Sequence, residues 1–112
     1  MEQKDSVRIE RINELVRREL VTLLKNETKD PRLSSVVITD VLTSRDLSAA
    51  KVYYTVSEQD QKEVEILLNK ASGFFRSRLS KTIDLRHTPA LRFMFDPAPN
   101  NGARIDDLLS RL

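Results

Sequence analysis

The sequence has no cysteine, a single histidine and only two glycines among its 112 residues. Without cysteine the chain cannot form a disulfide, a thiol nucleophile or a cysteine-based metal site. A lone histidine excludes multi-histidine metal sites, and two glycines are too few for a dinucleotide-binding or Walker-type phosphate loop. His87, between Arg86 and Thr88, is interpreted as a surface residue rather than a catalytic base. The sequence thus predicts a protein that is not an enzyme and needs neither metal nor nucleotide cofactor.

No apolar run approaches the length of a membrane span, and the charged N-terminus has no signal-peptide segment. We therefore expect a cytoplasmic protein. The length suits one compact domain, residues 1–112, with its own core and a monomeric state.

The net charge is only +2, but the charges are unevenly distributed. The segment from Ser57 to Ile66 is acidic and carries Glu58, Asp60, Glu63 and Glu65 against Lys62 alone. The segment from Lys70 to Arg92 has only Asp84 as an acid, and its basic residues are Lys70, Arg76, Arg78, Lys81, Arg86 and Arg92. This split predicts a one-sided positive patch of the kind that binds a polyanion. The alternative is an ordinary solvated helix surface.

A first helix is predicted from Val7 to Lys25, with Asp5 or Ser6 as its cap and its end before Pro31. Its apolar stripe at helical spacing consists of Ile9, Ile12, Val16, Leu20, Leu23 and Leu24. The basic side chains of Arg8, Arg11, Arg18 and Lys25 share another side of this helix. They are either part of a binding surface or solvated charges.

Asp30–Leu33 is predicted to be a turn or short connector. The two β-branched stretches at 36–44 and 49–57 predict an antiparallel hairpin. In the second strand, Ala50, Val52, Tyr54 and Val56 are expected to face the core, while Lys51, Tyr53 and Thr55 face away.

A second helical region is predicted from Asp60 to about Thr82, with a sharp bend at Ser72-Gly73. Its apolar stripe consists of Val64, Leu67, Leu68, Ala71, Phe75 and Leu79. A third strand is predicted at 88–96 and a last helix at Arg104–Leu112. The resulting fold class is α+β, with helices covering one face of a three-stranded sheet.

Glycine inside a helix costs about 1 kcal/mol relative to alanine, so Gly73 calls for a reason. A helix start there would offer backbone N–H groups to a phosphate, and the missing side chain would allow a sugar-phosphate backbone to approach closely. Arg76, Arg78 and Lys81 follow within the next turns. The pattern predicts a clamp on nucleic acid, whereas the alternative is a bend made only for packing.

Several stretches together resemble the ribosome-binding factor A family. They are "RINELVRREL", "KDPRLSSVVITDV", "SRDLSAAKVYYTV", "KASGFFRSRLSK", "TPALRFMFD" and "RIDDLL". The resemblance implies a KH-like fold of the type II order. In that fold an Ala-x-Gly kink, here Ala71-Ser72-Gly73, takes the place of the GxxG loop of RNA-binding KH domains.

The resemblance also implies function. It indicates an assembly factor of the bacterial small (30S) ribosomal subunit that binds free or immature subunits and 16S rRNA, including its 5′-terminal helix. It implies support of late rRNA processing, notably in the cold, a link to a maturation GTPase, and no catalysis or cofactor. Some members of the family have an extended, basic C-terminal tail, whereas this sequence ends at Leu112, shortly after "RIDDLL".

The predicted RNA-binding residues combine the helix-one stripe, the junction and the basic segment after it. They are Arg8, Arg11, Arg18, Lys70, Ala71, Ser72, Gly73, Arg76, Arg78, Lys81 and Arg86. The alternative hypothesis is a KH-like module that docks mainly on a protein partner, with an incidental basic face.

Overall fold

The computed structural model describes residues 2–97, with side chains from Val7 onward. The elements are α1 (Glu2–Asn26), α2 (Pro31–Ser34), β1 (Val37–Thr43), β2 (Ala49–Thr55), α3 (Gln61–Lys70), α4 (Ser72–Thr82) and β3 (Ala90–Phe95), with a 3-10 turn at Glu58–Asp60. This confirms the α+β class, and the predicted last helix lies outside the described residues. None of the described helices is long and apolar enough to cross a membrane.

The three strands form one sheet in the order β1-β2-β3. β1 pairs with β2 in the antiparallel sense, which confirms the predicted hairpin, whereas β3 pairs with β2 in parallel. A parallel pair needs a crossover connection because a tight turn reverses the chain direction. The α3–α4 segment is that crossover, so its apolar side lies against the sheet.

A single hydrophobic cluster joins the three long helices to one face of the sheet. Val16 of α1, Val52 and Tyr54 of β2, Phe75 of α4 and Phe93 of β3 are all at most 2% exposed. The rings of Phe75 and Phe93 lie 5.6 Å apart between centroids. The predicted apolar stripes therefore form the core, except that Ile9 lies outside this cluster.

Two local predictions for the N-terminal half were wrong. α1 already begins at Glu2, so neither Asp5 nor Ser6 caps a helix start at Val7. The connector at Asp30–Leu33 belongs to a one-turn helix, α2, whose N-cap Asp30 accepts the Arg32 N–H at 2.9 Å. Pro at the first position of α2 is favourable because its missing N–H would be unpaired there anyway.

Tyr53 was expected on the exposed face but is 3% exposed. It lies on the central strand, where Asp40 of β1 and Met94 of β3 are its cross-strand neighbours. Side chains on both neighbouring strands cover a large ring in this position, so it is shielded from solvent even on the face of the sheet that points away from the core.

Asparagine side chains occupy both edges of the sheet. Asn13 of α1 accepts the Thr43 N–H of β1 at 2.9 Å. Asn69 of α3 accepts the Phe93 N–H of β3 at 3.0 Å and donates to the Phe93 carbonyl at 3.2 Å. These bonds satisfy edge groups that would otherwise be open to another strand.

Candidate nucleic-acid interface

The junction between α3 and α4 is a single residue, Ala71, with φ −91° and ψ 4°. Its N–H donates to the Leu67 carbonyl at 3.0 Å, and its own carbonyl accepts the Phe75 N–H at 3.1 Å. The helix interruption thus lies at Ala71, one residue before the predicted bend at Ser72-Gly73. No side chain caps the start of α4, so Ser72 and its neighbours begin the helix without a side-chain acceptor for their N–H groups.

Gly73 is exposed in the first turn of α4, and its φ is not positive. A Cβ atom built at this position would meet no atom within 4 Å. Neither the backbone angle nor the packing of the free protein therefore requires glycine at this position. The remaining consequence of Gly73 is an open surface where another molecule can reach the helix backbone.

The two arginines of α4 extend to different sides of the helix, since residues two apart differ by about 200° in direction. The Arg76 Nε donates to the Thr88 carbonyl at 3.1 Å, in the loop before β3. The Arg78 Nη2 lies 3.2 Å from the Glu27 carboxylate beyond α1, and its guanidinium lies 5.4 Å from the centre of the Phe74 ring. Both arginines thus have contacts within the protein, and only part of their hydrogen-bonding capacity is left for phosphate.

Lysines flank the junction without such contacts. Lys70 ends α3 and Lys81 lies in the last turn of α4. Both are exposed, as is Arg86 in the loop that follows, and none of the three forms an ion pair within residues 7–97. These are the freely available cations near Gly73 in sequence.

The basic residues of α1 are spread along a long helix. Arg18 pairs with Glu14 at 3.2 Å, and Glu14 is also held by Arg17 at 2.6 Å. The guanidinium of Arg17 is the largest cause of the lowered pKa of the Glu14 carboxyl. At 1.5 Å per residue, Arg8 lies about 28 Å from Glu27, the residue that contacts α4. The structure therefore separates Arg8 from the α4 surface rather than joining the two.

A charged cluster that sequence reasoning missed joins α2 to α3. The Arg32 guanidinium pairs with Asp30 at 2.7 Å and also with Glu63 of α3. Hydrogen bonds from Arg32 hold the pKa of the Asp30 carboxyl below its usual value. The acid–proline–arginine stretch at 30–32 was a visible signal, but its partner Glu63 is 31 residues away from Arg32.

Comparison with known proteins identifies the class. The family model described as ribosome-binding factor A matches residues 8–109. Ribosome-binding factor A of Ruthia magnifica subsp. Calyptogena magnifica is 69% identical over 112 residues and covers 100% of both chains. That of Vesicomyosocius okutanii subsp. Calyptogena okutanii (strain HA) is 67% identical, covering 99% of this chain and 97% of its own.

Solved structures show the same fold. The crystal structure of ribosome-binding factor A from Thermus thermophilus has a TM-score of 0.70 at 22% identity and covers 77% of this chain and 93% of its own. A homology model of the Thermus thermophilus factor, fitted into a cryo-EM map of a 30S–RbfA complex, has a TM-score of 0.62 at 22% identity, covering 78% and 92%.

The α+β fold of this chain is therefore shared with solved structures of ribosome-binding factor A. The chain belongs to the ribosome-binding factor A family.

Proposed function

We propose that this protein binds the free or immature 30S subunit and supports late maturation of its 16S rRNA. Two observations support binding to the 30S subunit: membership in the family, and a relative that was fitted into a map of a 30S complex. On this chain, the proposal is carried by the open surface over the helix backbone at Gly73. Lys70, before Gly73, and Lys81, after it, are exposed and have no ion-pair partner among the described residues. A phosphate can approach such a backbone closely, and the two lysines supply positive charge along the same segment for the other phosphates of a bound strand.

In this proposal the α1-β1-β2-α3-α4-β3 order corresponds to a KH-like domain of type II order. The Ala71-Ser72-Gly73 segment takes the place of the GxxG loop that clamps nucleotides in RNA-binding KH domains. The observed interruption at Ala71 and the open Gly73 are consistent with this correspondence. The wider role would include contact with the 5′-terminal helix of 16S rRNA, importance in the cold, and a functional link to a maturation GTPase. The protein would act in the cytoplasm as a monomer, by binding and without catalysis.

The direct test measures binding of the full chain to purified 30S subunits and maps the protected 16S nucleotides. Lys70→Ala and Lys81→Ala are the informative variants, because these side chains have no ion-pair partner within the described residues. Removing one phosphate contact should reduce the slope of log affinity against log salt by about one. Lys62→Ala, an exposed charge on the acidic side of α3, is the matched control.

Arg76→Ala and Arg78→Ala are less clean, since they also remove contacts to Thr88 and Glu27. Their melting temperatures must therefore be measured beside their affinities. Unchanged affinity and slope in folded Lys70 and Lys81 variants would contradict the phosphate contacts.

A second candidate function is docking on a protein, and one observation favours it. An open groove of about 970 Å³ lies between α3 and β3; its charged lining residues are Glu58, Glu65 and Arg92, and Phe93 and Phe95 also line it. Carboxylates repel phosphate but suit a basic polypeptide. Binding to isolated small-subunit proteins without 16S rRNA, abolished by Glu65→Lys but not by Lys81→Ala, would support this alternative.

A further inference from the structure

A small cleft lies where the start of α1 meets the loop between β1 and β2. It has a volume of about 100 Å³ and is lined by Arg8, Ile9, Arg45 and Leu47. The two arginines come from segments far apart in the chain, so only the tertiary structure brings them to one cleft. Both are exposed, and neither forms an ion pair within residues 7–97.

Asp46, the acid next to Arg45, forms no ion pair with it. Asp46 uses its Oδ1 to accept the Ser44 hydroxyl at 2.8 Å, the Ser48 N–H at 3.0 Å and the Ser48 hydroxyl at 2.7 Å. The Ser44 Oγ in turn accepts the Ala49 N–H at 3.1 Å. Through these hydrogen bonds Asp46 stabilises the conformation of the loop. The guanidinium of Arg45 has no acidic partner in the described part of the chain.

The loop is also fixed in a conformation that most residues avoid. Leu47 has φ 63°, the one non-glycine with a positive φ within residues 2–97. A left-handed conformation costs a branched apolar residue about 1–2 kcal/mol and persists only where the surroundings impose it. Here the Leu47 N–H donates to the Ser44 carbonyl at 2.9 Å, and its side chain packs against the core. Arg45 therefore lies on a loop tip that hydrogen bonds and core packing hold in place.

We propose that Arg8 and Arg45 form a second phosphate-binding site, which takes a phosphodiester group of ribosomal RNA. Paired guanidinium groups match the oxygens of a phosphate in charge and geometry. This inference rests on the proposed binding to the 30S subunit and adds a contact at the opposite end of α1 from α4. The backbone distance of about 28 Å from Arg8 to Glu27 follows from the helix rise. It exceeds the Debye length of about 8 Å at physiological salt, so the two sites act independently.

The test compares Arg8→Ala, Arg45→Ala, Arg45→Lys and the double alanine variant in binding to purified 30S subunits between about 50 and 200 mM salt. Removing one phosphate contact lowers the salt slope by about 0.7–0.9. The affinity ratio of wild type to a single alanine variant should therefore shrink about threefold over this roughly fourfold salt range. Arg45→Lys should keep the wild-type slope because it keeps the charge. The effects of Arg45→Ala and Lys81→Ala should add on the logarithmic scale because the sites are independent.

Control variants separate the possible outcomes. Lys62→Ala, an exposed cation on α3, should leave the slope unchanged, and thermal melts should show that all variants fold. Wild-type slopes in folded Arg8 and Arg45 variants, with a reduced slope in Lys81→Ala, would overturn the second site and leave the proposed function intact. If the wild-type protein itself failed to bind 30S subunits, the proposed function would fall first.

Discussion

Replacing Gly73 by alanine separates a structural role of this glycine from a binding role. The structure shows a helical glycine without positive φ, and a new Cβ would meet no atom within 4 Å. Alanine favours a helix over glycine by roughly 0.5–1 kcal/mol. For a domain of this size, that gain should raise the melting temperature by about 2–4 °C.

The same methyl group should weaken binding to the 30S subunit. If a phosphate contacts the backbone at Gly73, the Cβ stands in its path and lengthens charge-assisted hydrogen bonds. Such bonds contribute about 1.5–3 kcal/mol, so a loss of about tenfold or more in affinity is expected. Gly73→Val should bind still more weakly while leaving stability close to that of wild type, because valine's helix propensity only slightly exceeds that of glycine.

Calorimetry on the free protein and a binding titration with 30S subunits measure the two effects separately. Ser77→Ala is the control on the same helix: it is exposed, and we expect a small gain in stability with unchanged binding. A more stable Gly73→Ala variant that binds like wild type would refute close approach at this position. A less stable variant would refute the conclusion that the free protein has room for a side chain.

Three further predictions concern stability. Phe75→Ala and Phe93→Ala should each lower the free energy of unfolding by about 3–5 kcal/mol, measured by urea denaturation, because both side chains are fully buried in one cluster; wild-type midpoints would contradict the assigned core. The Tyr54 hydroxyl is buried without a hydrogen-bond partner among the described residues, and burial raises its pKa to about 12. Tyr54→Phe should therefore raise the urea midpoint. The wild type should lose stability as the pH rises from about 10 through about 12, and the variant should lack this loss. A lowered midpoint would show that the hydroxyl has a hydrogen-bond partner. Hydrogen bonds from Ser48 and Ser44 lower the pKa of Asp46 to about 2, so the contribution of Asp46 is present above its unfolded pKa of about 4 and is lost as pH falls towards 2. Melts of Asp46→Asn should lack this part of the acid dependence, and identical pH profiles would rule it out.

Much of the local structure could be predicted because its causes are local. The apolar stripe that contains Val16 and Leu20 repeats at helical spacing, and the alternation of Val52 and Tyr54 is that of a strand. The interruption near Gly73 could be placed to within two residues, but its reason could not be given, since room for a side chain depends on atoms from the whole fold.

The candidate site was predicted less completely. Lys70 and Lys81 are exposed as expected. Arg76 and Arg78, however, extend to different sides of α4 and contact other parts of the protein. Arg45 was not among the predicted site residues. The sequence shows that a residue is charged, but it does not show which distant residue forms an ion pair with it. Ion pairs such as Arg78–Glu27 join residues 51 apart in the chain.

By itself, the sequence determined the α+β class, the hairpin and the resemblance to a ribosome-binding family, because periodicity and motifs are properties of neighbouring residues. The tertiary structure alone decided that β3 pairs in parallel with β2, that Gly73 has open space around it, and that Arg8 lines a cleft together with Arg45. These features depend on how segments far apart in the chain pack onto one core, and local sequence patterns do not specify that packing.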